Sequence, residues 1–191
     1  MEREVYLMPP KMKVDLENKE RLLTMEEQRE YRSIVGQLNW ISNQTRPDIS
    51  FDVSVRCAQG RKPTMEDANK LNRVVKKTKE REGELKFHKI NNLTDSELWC
   101  YADASLGNLK DGGSQGGHIV LWRNEEGKMS LLNWQSRRLR RVAVSTLAAE
   151  AIALVQAVED VILLNELIYE VTEVMIKVRC FTDCKSLEKT F

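Results

Sequence analysis

The chain has 191 residues, with 30 basic side chains against 29 acidic ones and a net charge of +1. That length holds one large domain or a small domain with an appendage, and the near-neutral balance leaves no global field to draw the protein onto nucleic acid or an anionic membrane. There is no run of about 18 apolar residues to span a bilayer, and Met1-Glu-Arg-Glu-Val lacks the apolar core of a secretory signal. An intracellular protein is expected, cytoplasmic or nuclear, with no membrane partner.

Residues 1–30 are charged, poor in aromatics and interrupted by Pro9-Pro10, which predicts a flexible lead-in ending in a charged helix near Met25 to Tyr31. From Tyr31 the apolar residues Ile34, Val35, Leu38 and Ile41 follow helical spacing until Thr45-Arg46-Pro47 breaks it. A second helix is expected over 47–60, and a third after Pro63, with Thr64 as N-cap and Asp67 closing a capping box. The third carries Ala68, Leu71, Val74 and Val75 on one stripe. Lys70, Arg73, Lys76, Lys77 and Lys79 crowd the rest, as a solvated face or a ridge for phosphates. Residues 31–83 thus read as a mainly helical segment.

After Gly83 the pattern changes to short strands, expected at 84–88, 98–104, 117–122 and 128–135, with Asn124 to Gly127 turning the hairpin between the last two. A long helix over 146–171 follows, with Leu147, Ala151, Leu154, Val155, Val158 and Ile162 as its core stripe, and then a strand at 176–182. Strand, hairpin, helix, strand is an α/β order that places the last strand beside the first in a mixed sheet, joined by a crossover helix.

Three acidic residues stand at informative points of this order: Asp103 in Trp-Cys-Tyr-Ala-Asp, Glu150 near the start of the long helix, and Asp183 in Cys-Phe-Thr-Asp. Asp103 and Asp183 end adjacent parallel strands, where open α/β sheets bind ligands, and Glu150 can lean over that end. Carboxylates gathered this way suit hard divalent cations and phosphodiester chemistry. Each also has a plainer reading, as a turn former, a first-turn charge or a helix cap. Arg137, Arg138, Arg140 and Arg141 lie between the strand at 128–135 and the long helix, placed either to hold phosphates or to solvate a loop. Trp134 and His118 read as packed residues. The four cysteines include no Cys-x-x-Cys pair, and Cys180 and Cys184 would lie roughly 13 Å apart along an extended strand, so free thiols are expected rather than a zinc site.

These contexts resemble the ribonuclease H domain of copia-type retrotransposon polyproteins. Asn133-Trp-Gln-Ser136, then Val144-Ser-Thr and Glu150, is similar to that family's Ser-Trp-Lys-Ser, basic run and Leu-Ser-Thr-Ala-Glu-Ala-Glu. Thr182-Asp183-Cys184-Lys185-Ser186 is similar to its Cys-Asp-Asn-Gln-Ser, and Ser114-Gln-Gly-Gly117 resembles its Ser-Thr-Ser-Gly. Upstream, Tyr31-Arg-Ser-Ile-Val-Gly-Gln-Leu38 and Thr45-Arg-Pro-Asp-Ile49 resemble the segment between polymerase palm and ribonuclease H. The resemblance covers about 30–191. It implies a ribonuclease H-like α/β fold at 84–191 preceded by a helical connection segment at 31–83. It further implies hydrolysis of the RNA strand of an RNA–DNA hybrid, with Asp103, Glu150 and Asp183 as ligands of two Mg²⁺ ions, or of Mn²⁺. Other parts of a Pol polyprotein would be partners.

Departures from the family are specific. Ala148 stands where it has its first helix acid, Asp103-Ala-Ser-Leu replaces Asp-Ala-Asp-Trp, and the fourth acidic ligand has no counterpart by Phe191. An incomplete domain of weak activity is therefore expected, with a non-catalytic nucleic-acid-binding remnant as the rival. The Thr-Arg-Pro-Asp-Ile segment argues against a third reading, an integrase-like transferase.

Overall fold

The structure is a computed structural model that describes residues 8–81 and 83–188, with the backbone alone at Glu188. It divides into two compact units, Met1–Glu84 and Leu85–Phe191.

In the first unit, α1 (Met25–Gln44) begins at a complete capping box, in which Thr24 Oγ1 accepts from Glu27 N and the Glu27 carboxylate accepts from Thr24 N. Arg21 holds the same carboxylate at 2.8 Å, and these hydrogen bonds bring Glu27 down to a pKa of about 2. The stripe predicted for this helix is its buried face: Tyr31, Ile34, Val35, Leu38 and Ile41. A 3₁₀ turn at Pro47–Ile49 leads into α2 (Ser50–Ala58), so the helix expected over 47–60 is a tight turn plus nine residues. Proline fixes the first helical position without needing a donor, which favours that start. Next comes α3 (Met65–Glu80), opening at the Thr64–Asp67 capping box.

Arg46 explains the Thr-Arg-Pro-Asp motif physically. Its guanidinium is buried, forks onto both oxygens of Asp48 at 2.8 and 2.9 Å, and donates from Nη1 to the carbonyl of Thr78 near the end of α3. A buried charge is tolerable because each of its three nitrogens has an acceptor, two of them on a carboxylate. The basic side of α3 is largely paired: Lys70 with Glu66, Lys76 with Glu80, Lys77 with Asp52.

The lead-in differs from expectation where it is described. Met12 and Leu23 are buried in the core of the first unit, Met12 exchanges backbone hydrogen bonds with the Asn72 side chain, and Leu23 N donates to Pro63 O. Residues 8–24 are a strap on the helices, because two apolar side chains and the Asn72 amide outweigh the charged composition around them. Residues 1–7 lie outside the described residues.

The second unit is a four-stranded mixed sheet in the order β3-β2-β1-β4. Its strands are β1 (Glu97–Ser105), β2 (Gln115–Arg123), β3 (Met129–Arg138) and β4 (Lys177–Phe181), and the long helix α4 (Thr146–Thr172) connects β3 to β4. β1 pairs antiparallel with β2 and parallel with β4, the mixed pattern predicted for a crossover helix. Gly127, with φ 81°, completes the β2–β3 turn, and Asn124 Oδ1 accepts from the backbone of Glu126 and Lys128. A short α5 (Lys185–Glu188) follows β4.

Two expectations fail here. Residues 84–88 form no strand; the segment is held instead by side chains, His88 N donating to Ser130 Oγ and Asn124 Nδ2 to Lys89 O. The core stripe of α4 is also rotated. Ala149, Glu150, Ala153, Ala157, Val161 and Asn165 are buried, whereas Leu147, Val155 and Ile162 are 43–56% exposed. The helix is apolar all round, so periodicity could not choose a face. Small residues at i, i+4 let it approach the sheet closely; at Gly116 an added Cβ would sit 2.6 Å from Leu139 Cδ2 and 3.3 Å from Ala153 Cβ. Leu98, Cys100, Ala102, Val120, Ala157, Val161 and Ile176 form the core beneath, with Leu154 partly buried against it.

Candidate metal centre

The parallel register of β1 and β4 places Cys100 opposite Cys180, and each strand carries its acid three residues further on, Asp103 and Asp183. Two parallel strands in register therefore deliver two carboxylates to one end of the sheet. The third comes from above. Ser145 caps α4 by accepting from Ala148 N, which sets the helix start, and Glu150 follows in the first turns on the buried side. One carboxylate oxygen from each of Asp103, Glu150 and Asp183 lies within 4.8 Å of the others. The structure thus brings together all three acids singled out from the sequence, with Asp103 and Asp183 exposed and Glu150 buried.

Glu150 decides what this cluster can do. Burial is the main cause that pushes its carboxyl above the usual range, and the Asp103 charge adds to it. A hydrogen bond from the Ala104 backbone N–H opposes this, and the Asp183 charge raises it further. Its Oε2 is buried and accepts no hydrogen bond. A buried carboxylate with one oxygen lacking a donor, grouped with two more carboxylates, is costly unless a cation is bound or the group is protonated. Carboxylate oxygens alone are the donor set of hard divalent ions such as Mg²⁺ and Mn²⁺. The residues fit such an ion.

The four arginines do not form one cluster. Arg137 and Arg138 are consecutive in β3 and so point to opposite faces. Arg137 Nε donates to Gln156 Oε1 on α4 at 3.1 Å, and Arg138 pairs with Asp111. Arg140 and Arg141 are exposed and line a shallow depression with Ala151, Ile152, Val155 and Gln156 of α4.

Two features were missed by sequence reasoning. Trp99, Tyr101 and Phe181 form an aromatic cluster opposite the α4 face, with centroids 4.8 to 6.4 Å apart and Arg123 lying over Trp99 at 5.4 Å. Alternation in Trp99-Cys-Tyr101-Ala-Asp103 was the available signal. His118, read as packed, is buried, but its Nε2 also lies 3.0 Å from Asp160 Oδ2 of α4, a pairing no sequence spacing announces.

A mixed α/β unit with acids converging at the C-terminal ends of two parallel strands presents them where open α/β sheets bind ligands. No family model matches the chain. It is 33% identical over 136 residues to a protein assigned to transposon Ty5-1 of Saccharomyces cerevisiae, a match covering 69% of this chain and 41% of that one. The chain is homologous to this retrotransposon protein and spans less than half of its length. Among solved structures it is similar to the foamy viral protease-reverse transcriptase in complex with an RNA/DNA hybrid. That similarity has a TM-score of 0.46 at 12% identity and covers 89% of this chain and 21% of that one. Among the described residues no helix is long and apolar enough to cross a membrane.

Proposed function

We propose that the second unit is a ribonuclease H-like domain of a copia-type retroelement, acting on the RNA strand of RNA–DNA hybrids. The observation that carries this is the convergence of Asp103, Glu150 and Asp183, with one Glu150 oxygen buried and undonated. These three would hold Mg²⁺ or Mn²⁺, which when bound neutralises phosphodiester charge and acidifies water. The Ala104 N–H orients the Glu150 carboxylate. Arg140 and Arg141 are the guanidiniums open to phosphate, and recognition of the RNA strand rests on its 2′-hydroxyls.

A second reading is a non-catalytic nucleic-acid-binding remnant. Ala148 and Ser105 favour it, standing where the copia-type pattern has acids. In both readings other parts of a Pol polyprotein are partners.

The deciding experiment titrates Mg²⁺ and Mn²⁺ into the chain, then adds a labelled hybrid. The enzyme reading expects a metal-dependent rise in Tm that Asp103→Asn removes, and slow hybrid cleavage lost in the same variant. Hybrid binding with no response to either metal would favour the remnant. Neither metal response nor hybrid binding would sink both.

A further inference from the structure

We propose that Cys100 and Cys180 are a redox-active dithiol, which a low-molecular-weight disulfide such as glutathione disulfide converts to an intramolecular disulfide stapling β4 to β1. This goes beyond the metal-site reading and does not depend on it.

The pair is built by strand register. Cys100 and Cys180 are directly opposite in the parallel β1–β4 ladder. Neighbouring strands run roughly 4.7 to 4.9 Å apart, inside the Cα separation of about 4.4 to 6.8 Å that a disulfide spans. Side chains of register partners share a face, so the two thiols stand side by side on neighbouring strands. Each thiol is the largest influence on the other's ionisation.

Their environments divide the roles. Cys180 is exposed on β4, the outermost strand of the sheet, and so is open to a small oxidant. Cys100 is buried in the core with its Sγ 3.6 Å from the carbonyl of Ala157. The neighbouring Cys100 thiol holds the Cys180 thiol down at about 7, with burial opposing, while the Cys180 group, then burial, pushes Cys100 far up. Cys180 is the attacking thiolate, since the thiolate is the nucleophile in exchange. Cys100 keeps its proton until Cys180 is capped. Two thiols used only for packing would need neither the exposure of one nor the contact between them.

The steps balance. The Cys180 thiolate attacks one sulfur of glutathione disulfide, forming a Cys180–glutathione bond and expelling a glutathione thiolate. Cys100 then loses its proton to solvent or to that thiolate and attacks the Cys180 sulfur, expelling the second glutathione. Net, two protein thiols become a disulfide and one glutathione disulfide becomes two glutathione thiols. The bond encloses β2, β3 and α4 and fixes the strands that present Asp103 and Asp183 three residues on.

The test treats the full chain with glutathione disulfide, blocks remaining thiols by alkylation and reads the intact mass and peptide map. On the peptide map the wild-type chain is expected to lose the Cys100 and Cys180 thiols with glutathione on neither, joined to each other, whatever the exposed Cys57 takes up. Cys184→Ser should behave the same. Cys100→Ala should stop at one glutathione on Cys180, because the resolving thiol is gone, and Cys180→Ser should close no disulfide to Cys100. Cys180 is exposed, so its serine variant tests the idea even if the buried Cys100 variant folds poorly. A wild-type chain that stops at the glutathione adduct would overturn the proposal, as would closure that persists in Cys180→Ser.

Discussion

Glu150 is the residue on which the site turns. Its folded carboxyl keeps its proton to a higher pH than the unfolded one, so the folded chain holds more protons than the unfolded one from the ordinary glutamate range up to the raised value. Stability therefore falls as pH rises through that window, and above it the ionised carboxylate is a fixed cost. Glu150→Gln should raise the urea midpoint of the metal-free chain at neutral pH, an advantage that shrinks below about pH 4 where both states are protonated. The same variant should abolish any Tm shift with Mg²⁺, and a glutamine chain less stable than wild type at neutral pH would show Glu150 to be a structural group. Glu150 was legible as a candidate because the Thr146-Leu-Ala-Ala-Glu150 context survives in sequence. That it is buried with an unmatched oxygen was not, since this depends on how closely α4 lies on the sheet.

At the scale of elements, α4 is the part most misread. Leu147, Val155 and Ile162 point outward, and Ala149, Ala153 and Ala157 lie with Val161 on the buried side. Ala157→Leu should destabilise by about 1 to 3 kcal/mol, since added carbons have no room against the sheet. Ile162→Gln on the exposed side should stay within about 0.5 kcal/mol. Chemical denaturation of the two variants checks the rotation, and a larger loss at Ile162 would restore the stripe read from the sequence. His118 joins α4 to β2 and titrates in a sensitive range. Burial first, and then the Arg137 charge, lower its pKa, against the pull of Asp160. The unfolded chain thus takes up the proton first, and stability should be full above about pH 6.5 and decline as pH falls towards the lowered folded value. His118→Asn should flatten that decline in a pH series of denaturation midpoints.

For the whole molecule, the charge balance means that binding to a hybrid must come from a few local cations. Arg137 and Arg138 are engaged within the fold, leaving Arg140 and Arg141 as the free pair of the four. Replacing both by alanine should lower the slope of log K against log salt by roughly 2, close to one phosphate each. Replacing Arg137 should mainly cost stability, through its bond to Gln156. An equal loss of slope from each of the four would show them acting as one cluster. By itself, the sequence determined what repeats locally: the first-unit helices with their capping boxes, the strand–hairpin–helix–strand order, and the three acids at element ends. Propensity, capping and spacing are properties of neighbouring residues, so they are readable in one dimension. Only the tertiary structure decided which side of α4 is inside, that residues 8–24 pack and residues 84–88 do not pair, and that Cys100 faces Cys180. Each of these is a contest between surfaces or backbone groups far apart in the chain, and it is settled by how closely those partners can approach.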